Sequence, residues 1–310
     1  MDALLTVSVP VFGLILCGYL AGYFGVLGTH SSEALNRFVY YFALPALLFI
    51  FVARAPLERI LYWPFLAAWG GSLVLSFGLT ALLARLVYRD RLAVVGLRSM
   101  NASFANTGYM GIPLAITAFG EAAGLPAIIA TAFMGIVLIS LTIALIETDL
   151  STKAGAGGIA RDVGLALAKN PLVLSVAAGA LVSAFGISIP LPLAKFFDLL
   201  SSAAGPCALF AIGLFISGQS VREGLHEAAL ITAIKLLVHP AIAWLLLATV
   251  FEVEPLWATV TILIAALPTG ANCFVLAQRY NVFVAPTSAT ILLSTALSVV
   301  TISLLLILLR

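Results

Sequence analysis

Asn106-Thr107-Gly108-Tyr109-Met110-Gly111-Ile112-Pro113 lies inside an apolar run near residues 93–119, and its reading decides the fold. Two glycines and a proline within eight residues lower helix propensity and remove a backbone donor, so a helix entering this stretch is expected to break there. A second stretch, Leu267-Pro268-Thr269-Gly270-Ala271-Asn272, carries the same instruction inside the apolar run near 255–280. In hydrocarbon an unpaired backbone group costs several kcal/mol, so such breaks persist only where the freed groups find partners or line a cavity. Amides that open each second half-helix are positive dipole ends, and carbonyls that close each first half are negative ones. Two crossing breaks therefore make a polar pocket inside lipid whose natural guest is an anion.

Outside these stretches the chain reads as membrane protein. Of its 310 residues, 63% are hydrophobic and 9% charged, too much apolar surface for a water-soluble fold to hide. With roughly 20 apolar residues per span, apolar runs fall near 3–25, 34–53, 62–88, 93–119, 124–147, 167–187, 194–218, 226–250, 255–280 and 284–309. The expectation is an all-α polytopic protein of ten transmembrane helices. Met1-Asp2 leads straight into the first run without a basic leader or cleavage pattern, so that run is expected to be a permanent helix. Cys17, Cys207 and Cys273 sit in apolar segments without metal-ligand spacing and are expected to be small core residues. No metal or cofactor is implied, and the scattered basic residues exclude a nucleic-acid groove.

The chain repeats in phase. Pro10 matches Pro171 and Pro45 matches Pro206 at an offset of 161, while Thr107-Gly108 matches Thr269-Gly270 at 162. Five spans per half is an odd number, so the second copy enters the membrane from the opposite side, giving an inverted repeat over 1–147 and 164–310. The polar connector 148–163 between them is expected to be an exposed cytoplasmic linker. With the N-terminus outside, ten basic residues face inward (Arg37, Arg85, Arg89, Arg91, Arg98, Lys153, Arg161, Lys169, Arg222, Arg279) and four outward (Arg54, Arg59, Lys195, Arg310). The positive-inside rule therefore puts both termini outside.

No carboxylate falls in the middle of a span, which argues against a sodium site built of acids. Lys235 and His239, four apart on one face of the eighth span, are the coupling candidates. His239 could pass a proton or be a packed neutral ring before Pro240; Lys235 could attract an anion or snorkel to the cytoplasmic surface. Asp198 and Gln219 are read as helix ends. Metal-binding His pairs, nucleophile elbows and intramembrane aspartate pairs are absent from the sequence, which disfavours an enzyme. Two unlike broken helices suit one site with alternating access better than a passive channel.

Residues 106–114, NTGYMGIPL, resemble the fourth-helix signature of the auxin efflux carrier family. Arg37-Phe38-Val39 leading to Ala43-Leu44-Pro45 resembles its second helix, and Leu209-Phe210-Ala211-Ile212-Gly213-Leu214-Phe215 its seventh. Ala266-Leu267-Pro268-Thr269-Gly270 followed by Ala277-Gln278-Arg279-Tyr280-Asn281-Val282 resembles the ninth, and Ile291-Leu292-Leu293-Ser294-Thr295 the tenth. The resemblance implies a fold similar to the bile acid symporter and sodium–proton antiporter type. Helices 1, 2, 6 and 7 would form a scaffold, and helices 3–5 and 8–10 a moving transport domain. It implies elevator-type secondary transport of a carboxylate, an indole carboxylate in plant members and malate or malonate in bacterial ones. The short linker fits the microbial branch and a bacterial cytoplasmic membrane.

By the same resemblance Asn106 matches an asparagine that touches the substrate carboxylate, and Asn170 in Lys169-Asn170-Pro171 matches a second, although Asn170 is also a good N-cap in its own right. Thr107, Gly108, Pro113, Pro268, Thr269 and Gly270 complete the expected site. Asn272 is added from the break itself and has no equivalent in the plant pattern. The expected partners are the small organic anion, the lipid bilayer and a proton, and a homodimer is compatible with them. A sodium-coupled symporter resembling the bile acid carriers is the alternative.

Overall fold

The computed structural model describes residues 2–150, 156–218 and 224–309. Lys153, Gln219 and Arg222, named above for orientation or helix ends, lie outside the described residues, as do Met1 and Arg310. The described chain is all-helical apart from one isolated bridge. In order the helices are α1 (Asp2–Tyr23), α2 (His30–Ala53), α3 (Leu57–Tyr88), α4 (Leu92–Ser103), α5 (Thr107–Phe119), α6 (Glu121–Leu150), α7 (Ala156–Ala168), α8 (Pro171–Ala184), α9 (Leu191–Ser217), α10 (Leu225–Thr249), α11 (Pro255–Ala265), α12 (Asn272–Tyr280) and α13 (Val284–Leu308). Six of these, α2, α3, α6, α9, α10 and α13, are long and apolar enough to cross a membrane. The chain is an integral membrane protein.

Both predicted breaks are present: the fourth run divides into α4 and α5, and the ninth into α11 and α12. Proline also shapes the helices that stay continuous. Widened π turns at Val39–Ala43, Thr107–Gly111 and Ile234–Val238 each end two residues before a proline, at Pro45, Pro113 and Pro240. A proline has no N–H and its ring collides with the carbonyl four residues back; widening the preceding turn removes that collision without ending the helix.

The connector between the halves is helical where described, since α6 runs on to Leu150 and α7 starts at Ala156. Two local expectations are corrected. Asp198 is no helix end: it lies inside α9, where its carboxylate accepts two hydrogen bonds from Arg54, at 2.8 and 2.9 Å. That pairing raises the pKa of Arg54, just past the end of α2. Cys17 is exposed on the outside of the bundle, Cys207 is intermediate, and only Cys273 is a core residue.

Glycines set the closest helix crossings. α1 packs along α9, and α8 along α2. At the first crossing a Cβ on Gly18 would overlap the carbonyl oxygen of Phe210; at the second, a Cβ on Gly179 would lie 2.8 Å from the carbonyl oxygen of Phe49. Gly18 and Gly179 are 161 residues apart, and so are Phe49 and Phe210. The same backbone contact is thus made twice with the roles of the halves exchanged.

Polar links sort the helices into two sets. Arg54–Asp198 joins α2 to α9, and Ser183 Oγ donates to Ala55 O, tying α8 to the end of α2. In the other set Arg59 pairs with Glu254, Trp69 Nε1 donates to Ala130 O at 3.0 Å, and Tyr280 Oη donates to Glu147 at 2.8 Å. Arg98, only 3% exposed, reaches Asp90 at 2.7 Å and Glu227 at 2.8 Å between the rings of Tyr88 and Phe283. These links stay within α1, α2, α8 and α9 or within α3–α6 and α10–α13. One further link, Tyr109 Oη to Asn36 O at 3.4 Å, crosses from one set to the other.

Candidate functional site

The two breaks cross and pair with each other. Asn106 N donates to Pro268 O at 2.8 Å and Gly270 N to Phe104 O at 2.9 Å, around an antiparallel bridge between Ala105 and Thr269. Part of the freed backbone groups therefore satisfy one another, which lowers the cost of breaking two helices in apolar surroundings. Gly270 is needed for this approach, since a Cβ there would lie 2.9 Å from Phe104 Cδ1 and 3.0 Å from Ala105 O.

Behind the crossing lies a buried polar net that the sequence reading missed. Thr269 Oγ1 donates to Asn101 O at 2.7 Å, Asn101 Nδ2 donates to Leu97 O and to Thr287 Oγ1, and Thr269 N donates to Ser294 Oγ. Ala105 N points at Met134 Sδ, 3.2 Å away. These contacts fix the crossing to α13 and α6. The one sequence signal for them is the run of buried hydroxyls, Thr287, Thr290, Ser294, Thr295 and Ser298, along an apolar α13.

In front of the crossing is a small cavity lined by Asn106, Thr107, Gly108, Tyr109, Gly270, Ala271 and Asn272 of the breaks, by Phe104, Ala105, Thr131 and Met134, and by Tyr40 and Leu172 of α2 and α8. The amides of Gly108 and Tyr109 open α5, and those of Ala271 and Asn272 precede or open α12; none has a protein acceptor among the described residues. The Asn106 side chain likewise pairs with no described protein group, and Thr107 Oγ1 is buried without a partner. No charged side chain lines the cavity. The site is thus a neutral concentration of donors at two positive helix ends, suited to an anion. Its volume, about 30 Å³, leaves room for a water or two but not for a dicarboxylate.

The other predicted residues are distributed around this cavity. Pro268 and Thr269 do not line it; they hold the crossing together, Pro268 O accepting from Asn106 N and Thr269 pairing with Ala105 in the bridge. Pro113 lines a separate, larger cavity of about 700 Å³ between α5, α2 and α9, beside Arg54 and Asp198. Asn170 caps α8, its Oδ1 accepting from Leu172 N at 3.0 Å and Val173 N at 3.3 Å, and it does not line the small cavity, whereas Leu172 does.

Lys235 and His239 are both fully buried behind the ninth-run break. Snorkelling is excluded for Lys235: its Nζ donates to Ala265 O at 2.7 Å and lies 3.2 Å from His239 Nδ1. The His239 ring stacks on Trp69 with centroids 5.6 Å apart, and its Nε2 has no partner.

Comparison with known proteins places the chain among membrane transport proteins. The family model described as "Membrane transport protein" matches residues 3–155 and 157–306. A Rhizobium meliloti (strain 1021) protein described as "Putative malonate transporter" is 34% identical over 304 residues, covering 97% of this chain and 94% of that one. An uncharacterized transporter of Methanocaldococcus jannaschii is 25% identical over 98% of this chain and 97% of its own. Auxin efflux carrier component 1 of Arabidopsis thaliana is 33% identical over 100 residues, 32% of this chain and 16% of that protein. With the family match running through both halves and both breaks, the chain belongs to the membrane transport protein family of auxin efflux carrier-like proteins.

Proposed function

We propose that this protein is a secondary active transporter that carries a small organic anion, a carboxylate or dicarboxylate such as malonate, across the bacterial cytoplasmic membrane by elevator-type alternating access. One observation carries the reading: unpaired amides at two half-helix starts, with the free amide side chain of Asn106, converge on a small cavity at the crossing. The cavity lies between the two sets of helices, since Tyr40 and Leu172 come from one and the remaining lining from the other. Movement of the larger set past the smaller would open it to either side, with the close α1–α9 and α8–α2 crossings holding the scaffold still. The Gly18–Phe210 and Gly179–Phe49 pairs support an inverted repeat, and the distribution of basic residues supports both termini outside. The name of the Rhizobium relative supports malonate as the first substrate to try. Asn170 acts in this scheme by fixing Leu172 against the cavity.

The test is uptake of labelled malonate, malate and an indole carboxylate by purified protein in liposomes under imposed proton or sodium gradients. Asn106→Ala is expected to lower carboxylate uptake roughly tenfold or more, the loss of one hydrogen bond to a charged group, with the unfolding midpoint unchanged because that side chain holds no other part of the protein. Equal uptake by the variant would remove Asn106 from the site.

His239, with Lys235 on one side and Trp69 on the other, is the coupling group of this scheme. His239→Gln is expected to change the dependence of uptake on pH, since a ring that takes up a proton at Nδ1 can no longer accept from Lys235 Nζ. An unaltered profile removes it from coupling.

A further inference from the structure

Lys235 poses a question that substrate binding alone does not answer. Its ammonium is fully buried in the widened turn Ile234–Val238, yet no carboxylate among the described residues pairs with it. Asp90 and Glu227 are held by Arg98, Glu254 by Arg59, Asp198 by Arg54, and Glu147 accepts from Tyr280. A buried cation without a counter-ion is costly, so something else must compensate it. The carbonyl end of α11 supplies the compensation. The turn that closes α11 takes the carbonyls of Ile262, Leu263 and Ile264 through the amides of Ala266 and Leu267, while Ala265 O receives Lys235 Nζ at 2.7 Å. The last carbonyls of a helix carry its negative dipole end, and transporters with broken helices place a coupling cation at such ends.

We infer that Lys235 is a tethered cation, its ammonium standing at the carbonyl end of α11 where a dissociable coupling ion would otherwise bind, so that the protein carries its own counter-charge to the anion and does not use sodium. This rests on the anion-transport reading above. Lys235 and both breaks belong to the same set of helices, so the positive charge would travel with the substrate through the low-dielectric layer. His239 Nδ1 fills a second donor direction of the ammonium, which aims it at Ala265. Lys235 touches no part of the cavity lining and is a positioning residue.

The experiment compares wild type, Lys235→Ala and Lys235→Met in liposomes and in detergent, with sodium, potassium, choline or ethylammonium as the cation. Wild-type malonate uptake and unfolding midpoint are expected to be the same in all four. Lys235→Ala is expected to lose at least tenfold in uptake, and ethylammonium, small enough to refill the vacated site, is expected to recover at least fivefold and to raise the midpoint of this variant alone. Lys235→Met fills the space without the charge and is expected to stay folded, to transport at least tenfold more slowly and to ignore ethylammonium; it carries the test should the alanine variant fail to fold. Wild-type uptake that requires sodium, or Lys235→Met uptake equal to wild type, would overturn the inference. If wild type moves none of the carboxylates, the transport reading fails by itself, and the response of the Lys235→Ala midpoint to ethylammonium still decides whether the lysine is a replaceable cation.

Discussion

Gly213→Ala is expected to cost about 3 kcal/mol of stability or more, read as a large fall in the unfolding midpoint of the detergent-solubilised protein. A Cβ at Gly213 would overlap the carbonyl oxygen of Ile15 and lie 2.7 Å from Tyr19 N. Both obstacles are backbone atoms of α1, which cannot rotate away as a side chain does, so the helices would have to part along their length. Gly18→Ala meets the backbone of Phe210 from the other side and is expected to cost a similar amount. Gly179→Ala, at the equivalent crossing of α8 and α2, should cost less, about 1 kcal/mol: its Cβ would lie 2.8 Å from Phe49 O and 3.0 Å from Val52 Cβ. The difference follows from one residue. Val52 stands 161 positions before Gly213, so the first crossing has glycine on both helices and the second on one. Gly78→Ala, on an exposed face with nothing within 4 Å, is the control and should be neutral. Equal, small effects at all four positions would show that these crossings relax and do not hold a scaffold.

The same glycines show what was legible in the sequence. Glycine and proline instruct the backbone directly, so Gly108, Gly111, Pro113, Pro268 and Gly270 announced both breaks, and apolar runs announced the helices around them. How the breaks relate was not legible. Asn106 N meets Pro268 O only because two segments 162 residues apart cross at one height. Asn101 belongs to no motif, and its partners Thr287 and Thr269 lie 186 and 168 residues away. Lys235 shows the limit from another side. A flexible four-carbon stem can carry an ammonium to a surface or into a core, and only the carbonyl at Ala265 decides between them. Pro113 was assigned to the substrate site because it shares a motif with Asn106, but two helical turns carry it past the cavity into the larger one between α5 and the scaffold.

Arg98 was read from the sequence only as one of ten inward-facing charges, and its structure gives it a larger role. Arg98→Ala is expected to cost about 3–5 kcal/mol, because it leaves Asp90 and Glu227 as neighbouring carboxylates without their cation. The guanidinium spans three places at once. It sits on α4, takes Asp90 from the α3–α4 connection and Glu227 from the first turn of α10, and is flanked by Phe283 at the start of α13. Arg98→Lys should recover only part of the loss, since a point ammonium cannot reach two carboxylates in divergent directions or stack between two rings. Combining Arg98→Met with Asp90→Asn and Glu227→Gln removes the stranded charges as well and is expected to be more stable than Arg98→Ala alone. That ordering separates a lost cation from lost packing: if the triple variant is no more stable than Arg98→Ala, the arginine acts through its stem and rings. Uptake should fall with stability in this series while the malonate concentration at half-maximal rate stays constant, because Arg98 joins the parts of the larger helix set and touches neither the cavity nor the scaffold.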